Sequence, residues 1–212
     1  MNINRDFMFD KVNFFLKKEN KFFTSSEVMS IIALEAPRRV AEDINFPKSN
    51  LSAVLVSGAW TVNLSSDFIK IDPDKDVTFK YSGGTIKLKP KLQKDIGRDT
   101  ILTADPSTPE YFFPEDEDTI GVYPPSSSGI LVIPFVKEPT SLSSTNASNE
   151  LTQNCYMAMI YWTVGDCMLK DGDSEKYETY IKLYDAEIIR LRRRFGEMYD
   201  EQHDVIPHED YI

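Results

Sequence analysis

The sequence predicts an α+β fold in which helices from both ends of the chain form a bundle and an antiparallel β domain is inserted between them. Apolar residues recur every three or four positions near both ends and alternate with polar residues in the middle. The 212 residues are 41% hydrophobic and 27% charged, which is ordinary for globular proteins. We expect a helical bundle over 1–50 and 140–198, a β domain over 51–139 and a C-terminal tail over 199–212.

Two helices are predicted in the N-terminal segment. Over residues 5–18, one helical face carries Met8, Val12, Phe15 and Leu16. Thr24-Ser25-Ser26-Glu27 has the pattern of a capping box, which begins the second helix. Pro37 has no amide hydrogen, so it should kink this helix or split it into two pieces before Asn45.

The middle of the chain has the alternation that is typical of half-exposed antiparallel strands. The predicted strands are Leu51–Val56, Phe68–Ile71, Val77–Tyr81, Thr85–Leu88, Glu110–Phe113, Thr119–Tyr123 and Gly129–Ile133. Gly83 and Gly84 form a hairpin turn signal between two of them, and Lys91–Arg98 has room for one or two helical turns. Ser141–Asn149 is rich in Ser, Thr and Asn, which predicts a polar linker.

The last third of the chain predicts an antiparallel helical hairpin. On its first arm Tyr156, Ile160, Val164 and Met168 share a face. Gly172 is placed to end this arm, and Asp173 is placed to cap the next one. The second arm has a coiled-coil-like seam formed by Tyr177, Ile181, Tyr184, Ile188, Leu191, Phe195 and Met198.

Charge and cysteine usage exclude several classes of protein. A net charge of −10 disfavours general affinity for nucleic acid, since Lys and Arg supply most of that binding. There is no run of eighteen apolar residues, and Asp6 and Asp10 interrupt any N-terminal signal sequence, so we expect no membrane segment. Cys155 and Cys167 would lie about 18 Å apart on one helix, so they cannot pair and should be reduced thiols.

No catalytic, metal-binding or cofactor-binding residue is assigned. The segments that begin at Asp72 and Asp171 imitate the start of a calcium loop, but they lack its later glycine and glutamate. We interpret them as a turn and a helix cap. His203 and His208 have no neighbouring ligand, and Ser126–Ser128 lacks the glycines of a nucleophile elbow. The sequence therefore gives little support for an enzyme.

Three groups of residues are candidates for binding a partner. The first group is the arginine run near the end of the hairpin: Arg190, Arg192, Arg193 and Arg194. The helix dipole and ion pairs with Glu187 and Glu197 could account for these arginines. Alternatively, they could bind an acidic patch of a partner or a phosphate. The loops Ser82–Thr85 and Pro114–Thr119 should project toward a neighbour, and they contain Gly83, Gly84, Glu115 and Asp116. The tail offers Val205, Ile206, Pro207, Tyr211 and Ile212, with Ile206 and Ile212 as expected anchors.

Three stretches of the sequence resemble the head-to-tail adaptor proteins of tailed bacteriophages. They are "FFLKKENKFFTSSEVMSIIALEA" (14–36), "TADPSTPEYFF" (103–113) followed by "IGVYPPSSSGILVIPFVKEP" (120–139), and "YWTVGDCMLKDGDSEKYETYIKLYDAEIIRLRRRF" (161–195). These stretches carry patterns of turn residues and apolar positions. Together they cover most of the chain.

The resemblance implies a virion structural protein of the neck. It implies a ring of twelve copies that binds the portal protein, extends the DNA channel and provides a platform for the next tail or ring protein, after assembly in the host cytoplasm. It also implies that the C-terminal tail docks on the portal or on a neighbouring subunit. DNA would pass without specific binding, which suits the negative charge. A monomeric interaction module and, with less support, a metal-dependent hydrolase are the alternatives.

Overall fold

The computed structural model describes residues 3–16 and 23–200, except for the side chains of residues 98, 99, 102 and 196–200. The fold is mixed α+β. The chain divides into two compact units: one comprises Met1–Ile44 with Pro139–Ile212, and the other is Asn45–Glu138.

The helices fall mainly in the first of these units. The α-helices are α1 (Arg5–Leu16), α2 (Ser25–Ser30), α3 (Ala36–Ile44), α4 (Arg98–Thr103), α5 (Thr152–Lys170) and α6 (Ser174–Asp200). A π-helical segment, Ile31–Glu35, joins α2 to α3, and a 3-10 turn, Gln93–Asp95, precedes α4. None of the helices among the described residues has both the length and the apolar composition needed to span a bilayer.

The capping box at Thr24 is confirmed, and the helix that it begins is divided into two α-helical pieces, α2 and α3, by a π-helical segment just before Pro37. The Thr24 amide donates to Glu27 Oε2 at 2.7 Å, and the Glu27 amide donates to Thr24 Oγ1 at 3.3 Å. The chain then stays helical from Ser25 to Ile44, with five π-helical residues just before the proline. Because Pro37 cannot donate to Ala33, that carbonyl needs another partner, and the Leu142 amide donates to it at 3.1 Å.

The predicted polar linker Ser141–Asn149 is packed against the helical unit instead. Leu142 is buried, and the Ala147 carbonyl accepts a hydrogen bond from the Arg5 amide at 2.8 Å. Asn149 Oδ1 accepts from the Leu151 and Thr152 amides at the start of α5. Short polar side chains readily form hydrogen bonds with nearby backbone groups. These hydrogen bonds hold Ser141–Asn149 in a defined conformation although the segment contains no helix or strand.

The hairpin between α5 and α6 turns at Gly172, as predicted. The Gly172 amide donates to the Leu169 carbonyl and the Asp173 amide donates to the Met168 carbonyl, both at 3.0 Å, which is the Schellman pattern. This pattern requires a left-handed residue, and Gly172 has φ +80°. Asp173 then caps α6, because its Oδ1 accepts from the Lys176 amide at 3.1 Å.

The seam on α6 is confirmed where the structure describes it. Tyr184, Ile188, Leu191 and Phe195 are buried, and Tyr177 and Ile181 are half-buried. The side chain of Met198 lies outside the described residues. α6 packs along α5, which also contacts α1 and α3.

The unit Asn45–Glu138 contains two sheets. Its strands are β1 (Lys48–Leu55), β2 (Thr61–Asn63), β3 (Phe68–Ile71), β4 (Thr78–Tyr81), β5 (Gly84–Lys87), β6 (Lys89–Pro90), β7 (Tyr111–Asp116), β8 (Thr119–Tyr123) and β9 (Gly129–Lys137). One sheet has the order β1-β9-β4-β5, with β3 also paired to β9. The other has the order β2-β8-β7-β6 and is antiparallel except for the β6–β7 pair.

Apolar side chains from both sheets pack together in one core. It includes Leu55, Phe79, Leu131 and Ile133 from the five-stranded sheet and Val62, Phe112, Ile120 and Val122 from the four-stranded one. The sequence missed β2 and β6 because they are only three and two residues long. It also placed the start of β1 too late, since Lys48, Ser49 and Asn50 pair with β9.

The stability of the helical unit should depend on the buried α6 seam. We expect Leu191→Ala or Ile188→Ala to lower the free energy of unfolding by about 2 to 4 kcal/mol, because each removes buried methyl groups. Ile189→Ala is the matched control, since Ile189 is 53% exposed on the same helix. Urea unfolding in a Trp60→Phe background, where Trp162 of α5 is the one remaining fluorescent tryptophan, measures this unit. Equal, small effects at all three positions would contradict the burial of the seam.

Candidate functional site

The arginine run lies inside α6 and not in its last turn. α6 continues to Asp200, beyond Arg194, and its last turn contains no basic residue. The helix dipole acts mainly within the final turn. The helix dipole therefore gives only a weak explanation for the arginine run. The role of each arginine is inferred from its own contacts.

Arg190 is held by its own helix. Its Nε and Nη2 donate to the two carboxylate oxygens of Glu187 at 2.8 and 2.6 Å. The hydrogen bond to Glu187 raises the pKa of Arg190. This bidentate ion pair explains Arg190 without a partner protein. Pairing with Glu187 was one of the alternatives given from the sequence.

Arg192 connects α6 to the end of α3. Its Nε donates to the Asp43 carbonyl at 2.6 Å, one of the last carbonyls of α3, which have no donor within the helix. The Asp43 carboxylate accepts a hydrogen bond from the Tyr184 hydroxyl and pairs with Arg39 at 3.0 Å. Burial, and then this hydrogen bond, raise the pKa of Tyr184, so the hydroxyl stays protonated and acts as a donor. Arg192 therefore has a structural role.

Arg193 and Arg194 are the members of the run that remain open to a partner. Both are exposed, and neither forms a hydrogen bond or ion pair with any side chain that the structure describes. The side chain of Glu197, the other predicted acidic partner of the run, lies outside the described residues. Two adjacent cations on a rigid helix can meet an acidic patch or a phosphate. Of the four arginines that were candidates for binding a partner, Arg193 and Arg194 are the two without a contact that explains them in the described part of the chain.

The two glycines of the β4–β5 hairpin have a local explanation. A Cβ on Gly83 would lie 2.5 Å from the ring of Tyr81, and Gly84 has φ +135°. A side chain at either position would clash or be strained. Contact of this turn with a neighbour, as predicted for Gly83 and Gly84, stays a prediction.

The segment Pro114–Thr119, which was predicted to be a loop, is mostly strand, whereas contact of Glu115 and Asp116 with a neighbour stays a prediction. β7 runs on to Asp116, with a bulge between Pro114 and Asp116, so Glu117 and Asp118 alone form the turn. Glu115 accepts a hydrogen bond from the Gln93 side chain, and Asp116 Oδ1 accepts from the Asp118 amide at 3.0 Å. Pro114 pairs with Ile120 of β8, and Asp116 pairs with Thr119. This strand pairing fixes the backbone of the acidic segment.

The calcium-like segment at Asp72 holds a lysine ammonium group. Asp72 is 1% exposed, and its Oδ1 lies 3.0 Å from Lys48 Nζ, which is also 2.7 Å from Asp74 Oδ2. Burial lowers the pKa of Lys48, but the hydrogen bonds to Asp74 and Asp72 outweigh burial and raise it. Among the described residues, no group of three His, Cys, Asp or Glu side chains could hold a metal ion. The sequence missed this ion pair because Lys48 is far from Asp72 along the chain.

The second calcium-like segment forms the cap between α5 and α6. Burial, and then the charge of Asp173, raise the pKa of Asp171. Beside it lies a groove of about 740 Å³, lined by Phe15, Leu16, Tyr161, Met168, Tyr180 and Leu183 among others. The groove was not predicted, because its residues come from α1, α5 and α6.

The two cysteines add no reactive group to these surfaces. Cys155 and Cys167 are free and buried, and burial raises the pKa of each thiol to about 12. A thiol with so high a pKa is protonated at neutral pH and is a poor nucleophile. His203, His208 and the predicted tail anchors lie outside the described residues.

Comparison of the sequence with known proteins does not assign it to a family. No model of a protein family matches the sequence, and no curated protein matches it.

The Lys48–Asp72 pair should be a strong determinant of stability in the unit Asn45–Glu138. Lys48→Met leaves the Asp72 carboxylate buried without its cation, which we expect to cost about 3 kcal/mol. Lys87→Met is the matched control, because the Lys87–Asp76 pair is exposed and should change stability by less than about 0.5 kcal/mol. Urea unfolding in a Trp162→Phe background, with Trp60 as reporter, measures both. Equal stabilities of the two variants would show that the buried pair contributes nothing.

Proposed function

We propose that this chain is a head-to-tail adaptor of a tailed bacteriophage. In this proposal, twelve copies form a ring that binds the portal protein, extends the DNA channel and offers a platform to the next tail or ring protein. The chain would be a non-enzymatic component of the virion neck, assembled in the host cytoplasm. Its helical unit would be a bundle that carries the β unit as an insertion.

One observation supports the proposal most directly. The helical unit is discontinuous in sequence, and the complete unit Asn45–Glu138 lies between its two parts. This is the order of features on which the resemblance to phage adaptors rests. A family in which a bundle forms the ring wall and an insertion extends from it would have this organisation.

The length and rigidity of α6 also suit the wall of a ring. Its 27 residues correspond to about 40 Å of helix at 1.5 Å per residue. One side of α6 is fixed by the buried seam, and Arg192 ties it to the end of α3. An element that is held along its length can transmit a fixed orientation to a neighbour in a closed ring.

The charge of the chain agrees with a DNA channel. Twelve copies with a net charge of −10 each would repel the phosphates of a passing duplex, and this would limit retention of DNA in the channel. The exposed pair Arg193 and Arg194 is a local exception. In this proposal, its guanidinium groups pair with acidic side chains on the portal.

The proposal is tested by reconstitution with the portal protein of the same phage. Electron microscopy of the mixture should show a twelvefold ring of this chain on the portal, and native mass spectrometry should give the stoichiometry. A chain that stays monomeric and does not bind the portal would refute the adaptor function and favour the interaction module. Stabilisation by calcium, magnesium or zinc in a thermal-shift assay would instead favour the hydrolase.

Charge reversal at the open arginines should weaken portal binding. We expect Arg193→Glu to reduce the affinity by about tenfold, because it places a carboxylate against an acidic patch. The melting temperature should not change, since the side chain is exposed. Lys182→Glu, an equal charge change at another exposed position of α6, is the control. An equal loss of affinity in both variants would indicate that total charge, and not this position, matters.

Removal of the C-terminal tail should separate folding from docking. Deletion of residues 200–212 should leave the melting temperature nearly unchanged and weaken portal binding several-fold or more. Ile206→Ser with Ile212→Ser should reproduce the loss, whereas His203→Ala with His208→Ala should not. Unchanged portal affinity of the truncated protein would show that the tail is not a docking segment.

A further inference from the structure

Along Ser49–Leu55, one edge of β1 pairs with no other strand in the part of the chain that the structure describes. β1 pairs with β9 from Lys48 to Leu55 on its other edge only. Leu51 and Ala53 pack against the apolar core but stay half-buried. Val54 and Val56, which follow on this strand and just after it, are 77% and 67% exposed. The strand therefore presents both free backbone groups and apolar side chains.

Apart from Lys48 at its start, whose ammonium group pairs with Asp72 and Asp74, β1 lacks the usual protections of an edge strand. Natural edge strands often carry a charged side chain, a proline or a bulge, which prevent pairing with another strand. From Ser49 to Ser66 the sequence has no charged residue and no proline, although 27% of the whole chain is charged. The pairing of β1 with β9 is regular, with no bulge. β1 is thus well suited to accept a further strand.

The same sheet has a second free edge at β5. Gly84–Lys87 pairs with β4 on one side, and no other described strand pairs with it. Thr85 and Lys87 are exposed. Two free edges on one sheet are the requirement for a head-to-tail contact between copies, in which one edge of each copy meets the other edge of the next.

The strand directions also fit such a contact. β1 is antiparallel to β9, β9 is antiparallel to β4, and β4 is antiparallel to β5. β5 therefore runs opposite to β1. If β5 of one copy lies beside β1 of the next, the alternation of directions continues without a break, and the joined sheet stays antiparallel.

Charge favours these edges as the place where two copies meet. Copies with a net charge of −10 repel each other, so a contact between them needs surfaces without carboxylates. The residues Ser49–Leu55 carry no charge, and Lys87 is the one charged residue of β5. Pairing of these edges brings no acidic strand residues together.

We propose that β1 of one copy pairs with β5 of the next copy, so that the five-stranded sheets of neighbouring copies join through backbone hydrogen bonds. This inference rests on the proposed ring and assigns one of its subunit contacts. It also gives a role to the β4–β5 turn, because Gly83 and Gly84 stand at the end of the strand that would enter the contact.

Cross-linking between two different single variants tests the pairing. Val54→Cys and Thr85→Cys are prepared separately, mixed at the concentration at which native mass spectrometry detects oligomers, and treated with a short bis-maleimide. The native thiols are buried, and the wild-type protein controls for their reaction. Head-to-tail pairing predicts a cross-linked dimer in the mixture and much less in either variant alone. Equal cross-linking of Val54→Cys with itself would indicate a symmetric contact and overturn the proposal, and so would the absence of a product in the mixture.

The same samples separate this inference from the adaptor function. A ring on the portal without the cross-link would overturn the strand pairing alone, whereas the cross-link without portal binding would overturn the adaptor function alone. Val54→Lys should raise the concentration needed for ring assembly by about tenfold or more, because it places a charge at the edge. Thr61→Lys is the matched control, since Thr61 is exposed on β2, an edge strand of the other sheet. Equal effects of the two lysines would contradict the proposed site.

Discussion

The burial of α5 is the constraint on which the helical unit depends. Its buried residues point in all directions around the helix: Cys155, Ala158, Met159, Ile160, Thr163, Val164, Cys167 and Met168. α1, α3 and α6 must therefore cover it together. The two buried hydroxyls of α5 are satisfied locally, because Thr152 Oγ1 donates to Asn149 Oδ1 at 2.8 Å and Thr163 Oγ1 donates to the Met159 carbonyl at 2.7 Å. The other elements of this unit are arranged by the need to enclose one helix.

The sequence predicted α6 better than α5, and the reason is physical. α6 has one buried side, so the spacing of its large apolar residues identified Tyr184, Ile188 and Leu191. α5 is buried all round, partly by small residues such as Cys155 and Ala158, which occur in many environments. Periodicity can identify one face, and it could not show that Tyr156 on the predicted face is only half-buried.

Contacts between distant segments were beyond the reach of sequence patterns. The alternation of apolar residues located the main strands, but it could not assign them to two sheets or find β2. Local patterns gave the helix cap at Asp173, yet the Lys48–Asp72 pair and the bond from Arg192 to Asp43 join residues far apart in sequence. The sequence therefore could not show that Arg192 bonds within the chain, and contact of Arg193 and Arg194 with a partner stays a prediction.

The discontinuity of the helical unit has a consequence for folding during synthesis. α1 to α3 emerge from the ribosome first, and α5, which covers their apolar sides, begins only at Thr152. At roughly 5 to 20 residues per second, α5 follows α3 by roughly 5 to 20 s. By the end of this interval the unit Asn45–Glu138 has been synthesised and has its own core, whereas Met8, Val12 and Ile32 still lack their cover. We therefore expect the nascent N-terminal helices to be a substrate for chaperones, and the length of the unit Asn45–Glu138 sets how long they must be protected.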